Sequence, residues 1–132
     1  MTLNLDFAPT LLDLAGVEIP PSMQGQCLIP VMNDRKKILR REWFYEHPYG
    51  HAGKIPKSEG IRGERWKYIR YYETDPLYEE LYDLQKDPWE TTNLATNPDY
   101  QSIRDRYRHR WHIWRDSLAA WISDPRHRWR DP

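Results

Sequence analysis

Apolar residues along this chain change their spacing several times, and each change marks an element. Over residues 98–122 the stripe Tyr100, Ile103, Tyr107, Trp111, Trp114, Leu118 and Trp121 or Ile122 advances in steps of three and four. That spacing predicts one apolar face of a helix, with Asn97-Pro98 as its cap. Over ERWKYIRYY (64–72) the period is two: Trp66, Tyr68, Arg70 and Tyr72 fall on one side, Lys67, Ile69 and Tyr71 on the other. This is the pattern of a strand. REWFYEH (41–47), which opens with bulky aromatics, and EELYDL (79–84), which follows the Asp75-Pro76 turn, predict two more. The last should run antiparallel to its predecessor. Near the start, Phe7, Leu11, Leu14 and Ala15 share a face of a helix over 7–15, with Asp6 as N-cap and Gly16 as the stop. Such a face expects cover from a partner larger than the helix.

The connecting segments are distinct in kind. EIPPSM (18–23) is an extended connector held by paired prolines, and Leu28, Ile29, Val31 and Met32 form a short apolar segment. DRKKILRR (34–41) reads as an exposed boundary. Asp87-Pro88-Trp89-Glu90 has the form of a helix start, with Asp at N-cap, Pro at N1 and Glu at N3. The tail DPRHRWRDP (124–132) has no periodicity and is expected to fray. The fold class is therefore α+β: a small antiparallel β-sheet covered by a long C-terminal helix.

Composition narrows the function. A chain of 132 residues makes one modest domain and is short for a complete catalytic α/β domain. Twenty basic residues balance twenty acidic ones, so bulk charge nominates neither nucleic acid nor an anionic membrane. Seven Trp and nine Tyr against two Phe suit half-buried sheet faces and pocket walls that meet sugars or rings. No stretch approaches the roughly 20 apolar residues of a membrane span. The opening MTLNLDFAPTLLDLAG has no basic leader and no cleavage site, and it reads like the middle of something.

Candidate chemistry is sparse. Cys27 has no neighbouring His or basic cluster and reads as a buried structural thiol; Ser58 has no nucleophile elbow and reads as solvated. His47 and His51 are four apart, but Pro48 and Gly50 forbid the helix that would align them. Even with Glu46 or Glu59 they define no metal geometry, and His109 and His112 read as a solvated face. Arginines from Arg104 to Arg130 interleave with Trp and Tyr as in a nucleic-acid surface. The tryptophans follow the helical stripe, however, which commits them to the core and the arginines to the outer face. What remains is YEHPYGHAGKIPKSEG (45–60), a polar, turn-rich loop between strand-like segments and the one candidate functional surface.

Read in order, LDFAPTLLDLAGVEIPPSMQGQCL (5–28), EGIRGERWKYIRYY (59–72) and ELYDLQKDPWETTNLA (80–95) resemble the C-terminal part of a sulfatase of the alkaline-phosphatase-like superfamily. The likeness is to the subdomain that ends N-sulfoglucosamine sulfohydrolase-type enzymes, and it runs over about 1–122. The resemblance implies that 1–33 is the tail end of an N-terminal α/β sulfatase domain, with 7–15 as its last helix. Residues 34–123 would then be the C-terminal subdomain and 124–132 a disordered tail. It implies an intact enzyme that hydrolyses sulfate esters on a sulfated carbohydrate through a formylglycine nucleophile and calcium. Neither group belongs to this chain. Cys27 is followed by Leu28, Ile29 and Pro30 with no Arg, which does not fit the C/S-x-P-x-R nucleophile motif, and the calcium ligands lie upstream of the 7–15 helix.

For this chain the resemblance thus implies no catalytic residue and no metal ligand. Its expected role is a substrate-selecting surface bordering the cleft, made by His47, Tyr49, His51, Lys54 and Lys57. Gly53-Lys54 falls after the 7–15 helix, so the family's sulfate-binding lysine role is not carried over to Lys54, and Gly63 stands where the family has Thr. Expected partners are the missing N-terminal sulfatase domain and a sulfated carbohydrate or other sulfate ester, in a periplasmic or secreted setting; the chain alone is expected to be inactive. Two rival readings remain: a non-enzymatic glycan-recognition module, and a phosphoester or phosphonate hydrolase of the same superfamily.

Overall fold

A computed structural model describes residues 1–49 and 55–123. They fall into two compact units: Met1–Arg41 with the residues from Ser117 on, and Glu42–Asp116. The expected fraying tail, 124–132, lies outside the described residues.

The second unit is a sheet under a helix. Strands β1 (Glu42–His47), β2 (Ser58–Gly63), β3 (Trp66–Tyr71) and β4 (Tyr78–Asp83) form an antiparallel sheet in chain order. A 3-10 turn, Pro98–Tyr100, leads into α3 (Gln101–Ser123), and the Asn97 side chain accepts from the Asp99 N–H at 2.9 Å as the predicted cap. Because strand side chains alternate, the register places Phe44, Ile61, Tyr68 and Leu81 on one face, each opposite the next. Ile61, Tyr68 and Leu81 are fully buried, and Trp66, Tyr107, Trp111 and Ala95 complete the core. The predicted stripe from Tyr100 to Trp114 is therefore the surface the sheet buries, with Tyr100, Ile103 and Trp114 half-buried at its margin, whereas Ile122 at its far end is 67% exposed.

A further strand, not expected from the sequence, precedes the one read over 64–72. EGIRGERWKYIRYY folds as a β2–β3 hairpin, with Arg62 opposite Lys67 and the chain reversing at Glu64-Arg65. Arg65 fixes the reversal by donating to both oxygens of the buried Asp83 carboxylate, at 2.9 and 2.6 Å. Strand β2 is hard to foresee because SEGIRG contains two glycines and a single aliphatic residue, so it shows no alternation. The predicted helix start at Asp87-Pro88-Trp89-Glu90 is only a turn. The Asp87 carboxylate does bind ahead, to Thr91 Oγ1 at 3.1 Å and the Thr92 N–H at 2.9 Å, but Glu90 adopts φ 57° and the helix cannot continue.

The helix arginines also differ from expectation. Arg108 donates to Glu79, Arg110 to Glu42 at 2.6 Å, and Arg104 to the Ala95 carbonyl at 2.8 Å, so they flank the stripe rather than face away from it.

In the first unit α1 (Phe7–Leu14) hides an unexpected side. Pro9 and Thr10 are buried, while Phe7, Leu11 and Leu14 are all more than 60% exposed, at 62%, 65% and 64%. The apolar face read from the sequence is real and uncovered. Residues 28–32 contribute α2 (Ile29–Asn33). Asp6 is no side-chain cap for α1. Its fully buried carboxylate accepts from the Leu3 N–H at 2.7 Å, the Gln26 N–H at 2.9 Å and both Arg40 terminal nitrogens at 2.5 and 2.6 Å. Arg40 thus leaves the otherwise exposed basic stretch to serve as an internal counter-ion. Gly25 packs where a Cβ would come within 2.0 Å of the Leu5 carbonyl oxygen, so this crossing of the two segments requires glycine. Cys27, expected to be buried, is half-buried, and its thiol donates to Asp13 Oδ2 at 3.2 Å.

Burial alone would raise the Asp6 carboxyl, but Arg40 and the two N–H donors outweigh it and hold it at about 2, below its ordinary 3.8. A carboxyl more acidic when folded contributes fully above its unfolded value and loses that contribution as pH falls through its folded value. We therefore expect urea-unfolding stability to drop by about 2 kcal/mol between about pH 4 and pH 2 from this residue. Asp6→Asn should cost about 3 kcal/mol at pH 7, because it strands Arg40, and should remove that acid-sensitive component.

Candidate functional site

The 48–57 loop leaves β1 at His47 and re-enters the sheet at Ser58, its cross-strand partner, so its two stems are fixed by ladder pairing. Tyr49 stands 79% exposed just beyond the first stem. Lys57, on the second, donates to Glu73 Oε1 at 2.6 Å; that hydrogen bond and the carboxylate's charge push its ammonium pKa up and tie it to the turn after β3. His47 is half-buried, and its Nε2 is enclosed without a hydrogen-bond partner. Ser58 is buried at the start of β2, not solvated, because ladder pairing draws it into the sheet. His51 and Lys54 lie outside the described residues.

Below this loop the structure gathers polar residues that sequence reasoning did not group. Glu59, next along β2, is opposite Arg70 of β3 and is only 4% exposed. Arg115 of α3 brings its Nε to 3.8 Å from Glu59 Oε2. The guanidiniums of Arg70 and Arg115 both stack on the Trp111 ring, 4.7 and 5.0 Å from its centroid. Glu59 Oε2, Arg70 Nε and Trp111 Nε1 are all buried without a hydrogen-bond partner, one acceptor and two donors in the same neighbourhood. Burial raises the Glu59 carboxyl, and nearby Glu46 adds to the rise; Arg115 offsets only part of it. The signal was present in the sequence, since Glu59 shares its strand face with Ile61 and Arg115 follows Trp111 by one helical turn, but it needs the unforeseen strand β2 to be read.

Chemically, such a site can orient hydroxyls and attract anions through Lys57, Arg70 and Arg115. Among the described residues no group of three or more His, Cys, Asp or Glu side chains gathers as a metal-ligand set. Cys27, tied to Asp13 and outside a C/S-x-P-x-R context, does not fit the formylglycine precursor.

The fold as a whole has counterparts among known proteins. Residues 1–116 match the family described as N-sulphoglucosamine sulphohydrolase, C-terminal. The Δ4,5-hexuronate-2-O-sulfatase of Bacteroides thetaiotaomicron is 38% identical over 110 residues, covering 80% of this chain and 22% of that protein. A solved structure of a protein in complex with its substrate D-glucosamine-2-N,6-O-disulfate superposes with a TM-score of 0.73 at 29% identity, over 94% of this chain and 25% of the other. The phosphonate monoester hydrolase of Agrobacterium radiobacter gives a TM-score of 0.66 at 28% identity, over 85% and 24%. The chain thus spans a quarter or less of the length of these relatives. It belongs to the N-sulphoglucosamine sulphohydrolase C-terminal family and is a sulfatase C-terminal subdomain.

Proposed function

We propose that this chain serves a sulfatase acting on a sulfated carbohydrate, as the part that selects substrate rather than the part that breaks the ester. The observation that carries the reading is the family match over residues 1–116, joined to relatives that are sulfuric ester hydrolases of sulfated sugars. Residues 1–33 end the α/β domain in this scheme, and 34–123 form the C-terminal subdomain. The uncovered face of α1, with Phe7, Leu11 and Leu14, supports cover by an α/β sulfatase domain outside these 132 residues. That domain would carry the formylglycine and the calcium, in a periplasmic or secreted enzyme. Among the described residues no helix is long and apolar enough to cross a membrane.

The 48–57 loop then borders the cleft. Tyr49 offers an exposed ring for stacking on a sugar, and His47 offers a nitrogen whose bonding capacity the fold leaves unused. Lys57, held in place by Glu73, offers a fixed positive charge for a carboxylate or second sulfate. His51 and Lys54 belong to the same proposed surface. A second reading draws on the likeness to the phosphonate monoester hydrolase: the same subdomain would then border the cleft of a phosphoester or phosphonate hydrolase.

Two measurements test the proposal. In a full-length protein carrying this subdomain, His47→Ala and Lys57→Ala should each raise KM for a sulfated oligosaccharide by about tenfold, a loss of about 1.4 kcal/mol of binding, while sparing 4-nitrophenyl sulfate. Equal loss on both substrates would indicate damaged folding, and no loss would remove the loop from the cleft. The isolated 132-residue chain should show no turnover of either substrate with calcium supplied; measurable sulfate release would overturn the division of labour.

A further inference from the structure

The sheet face turned away from the core carries a second concentration of chemistry. Trp43 of β1, Arg62 of β2 and Lys67 of β3 are successive register partners and therefore stand in a row across this face. Tyr45, two residues along β1, lies over Gly60, where an added Cβ would come within 2.5 Å of the tyrosine ring. Its ring centroid is 5.4 Å from that of Trp43 at 51°. With Glu90 these four side chains line an open hollow of about 260 Å³. That is just below the roughly 300 Å³ at which sites for drug-sized ligands begin, and it suits a single ring.

Glu90 is the informative residue. It is the one non-glycine residue at positive φ among those described, at 57°. A side chain in this region costs about 1 kcal/mol or more that glycine would avoid. The strained backbone brings its carboxylate to Lys67 Nζ at 2.5 Å, on the cavity wall, with both groups partly open to solvent. Arg62 is anchored from the other side by donating to the Gly63 carbonyl. The walls thus combine two aromatic rings, two cations and one carboxylate, for a net charge of +1.

We propose that this cavity binds one monoanionic sugar residue, a uronate or a singly sulfated hexosamine, of the carbohydrate chain on which the enzyme acts. Trp43 and Tyr45 stack on the ring, Glu90 accepts from its hydroxyls, and Arg62 and Lys67 meet its negative charge. The proposal rests on the sulfated-carbohydrate reading above but not on the 48–57 loop, and direct binding separates the two.

The test titrates the 132-residue chain with a heparin-derived tetrasaccharide and with a neutral cello-tetraose, following Kd and its salt dependence. The anionic tetrasaccharide should bind more tightly, and salt should weaken it. Trp43→Ala should weaken binding by about tenfold. Glu90→Gly should also weaken it by several-fold while leaving the thermal midpoint unchanged or higher, because glycine relieves the strained φ. A lower midpoint with unchanged affinity would make the Lys67–Glu90 pair purely structural and overturn the proposal. Absence of binding to either tetrasaccharide, or equal binding to both, would also overturn it. Sulfatase turnover by the full-length protein on an aryl sulfate would leave the broader reading standing in those cases.

Discussion

Three carboxylates on the helix-facing side of the sheet pair with arginines of α3, and the second unit depends on how they are neutralised. Glu42, Glu59 and Glu79 belong to β1, β2 and β4, and each meets a guanidinium of α3: Arg110, Arg115 and Arg108 respectively. Leaving such groups buried and unpaired would cost several kcal/mol each. Hydrophobic burial of Tyr107 and Trp111 would tolerate some rotation of α3 about its axis; the three ion pairs do not. They bracket the aromatic stripe on both sides and so set which residues of the helix meet which strands.

The pairs are unequal in how well they satisfy their carboxylates. Burial pushes Glu79 up, yet two donors from Arg108 and the Tyr68 hydroxyl at 2.5 Å bring its carboxyl below the ordinary value. Glu59 has Arg115 no nearer than 3.8 Å; that charge, with weaker help from Trp111 and Arg70, does not offset burial, and its carboxyl is left above the ordinary value. The well-satisfied carboxylate lies where β4 packs against the helix, and the poorly satisfied one lies beside the loop. Polar groups left wanting partners are what a ligand-facing region displays.

Much of the architecture was legible because it rests on periodicity. The α3 stripe and the alternation of β3 state their partners through spacing alone. Strand β2 was not legible, since its place is set by what lies across from it: Tyr45 over Gly60, and the Arg65–Asp83 clamp that turns the chain. The same holds for Asp6, whose local context suggests a helix cap but whose carboxylate is claimed by Arg40, 34 residues away. For the candidate site, the loop itself stands out by composition, whereas Glu59 reads as a companion of the loop histidines, Arg70 as one side of a strand and Arg115 as an outer-face charge, and only the register brings them to Trp111. The stretches that resemble sulfatases turn out to be rich in scaffold contacts. Gly25 permits a backbone crossing, Asp83 clamps a turn, and the Asn93 side chain accepts from the Leu81 and Ala95 N–H groups and donates to the Glu79 carbonyl. Such residues identify a fold without naming its substrate, which is why family and specificity must be argued separately.

Strand order in the sheet is chain order, β1-β2-β3-β4, followed directly by the helix that covers it. Every strand therefore pairs with a neighbour that has just been synthesised, and none waits for a distant segment. Loop closure is short at each step, so the entropic barrier to assembling this unit is low for a β-rich structure. A module built this way can assemble strand by strand as its chain leaves the ribosome. The order of the strands is thus also the order in which they can pair.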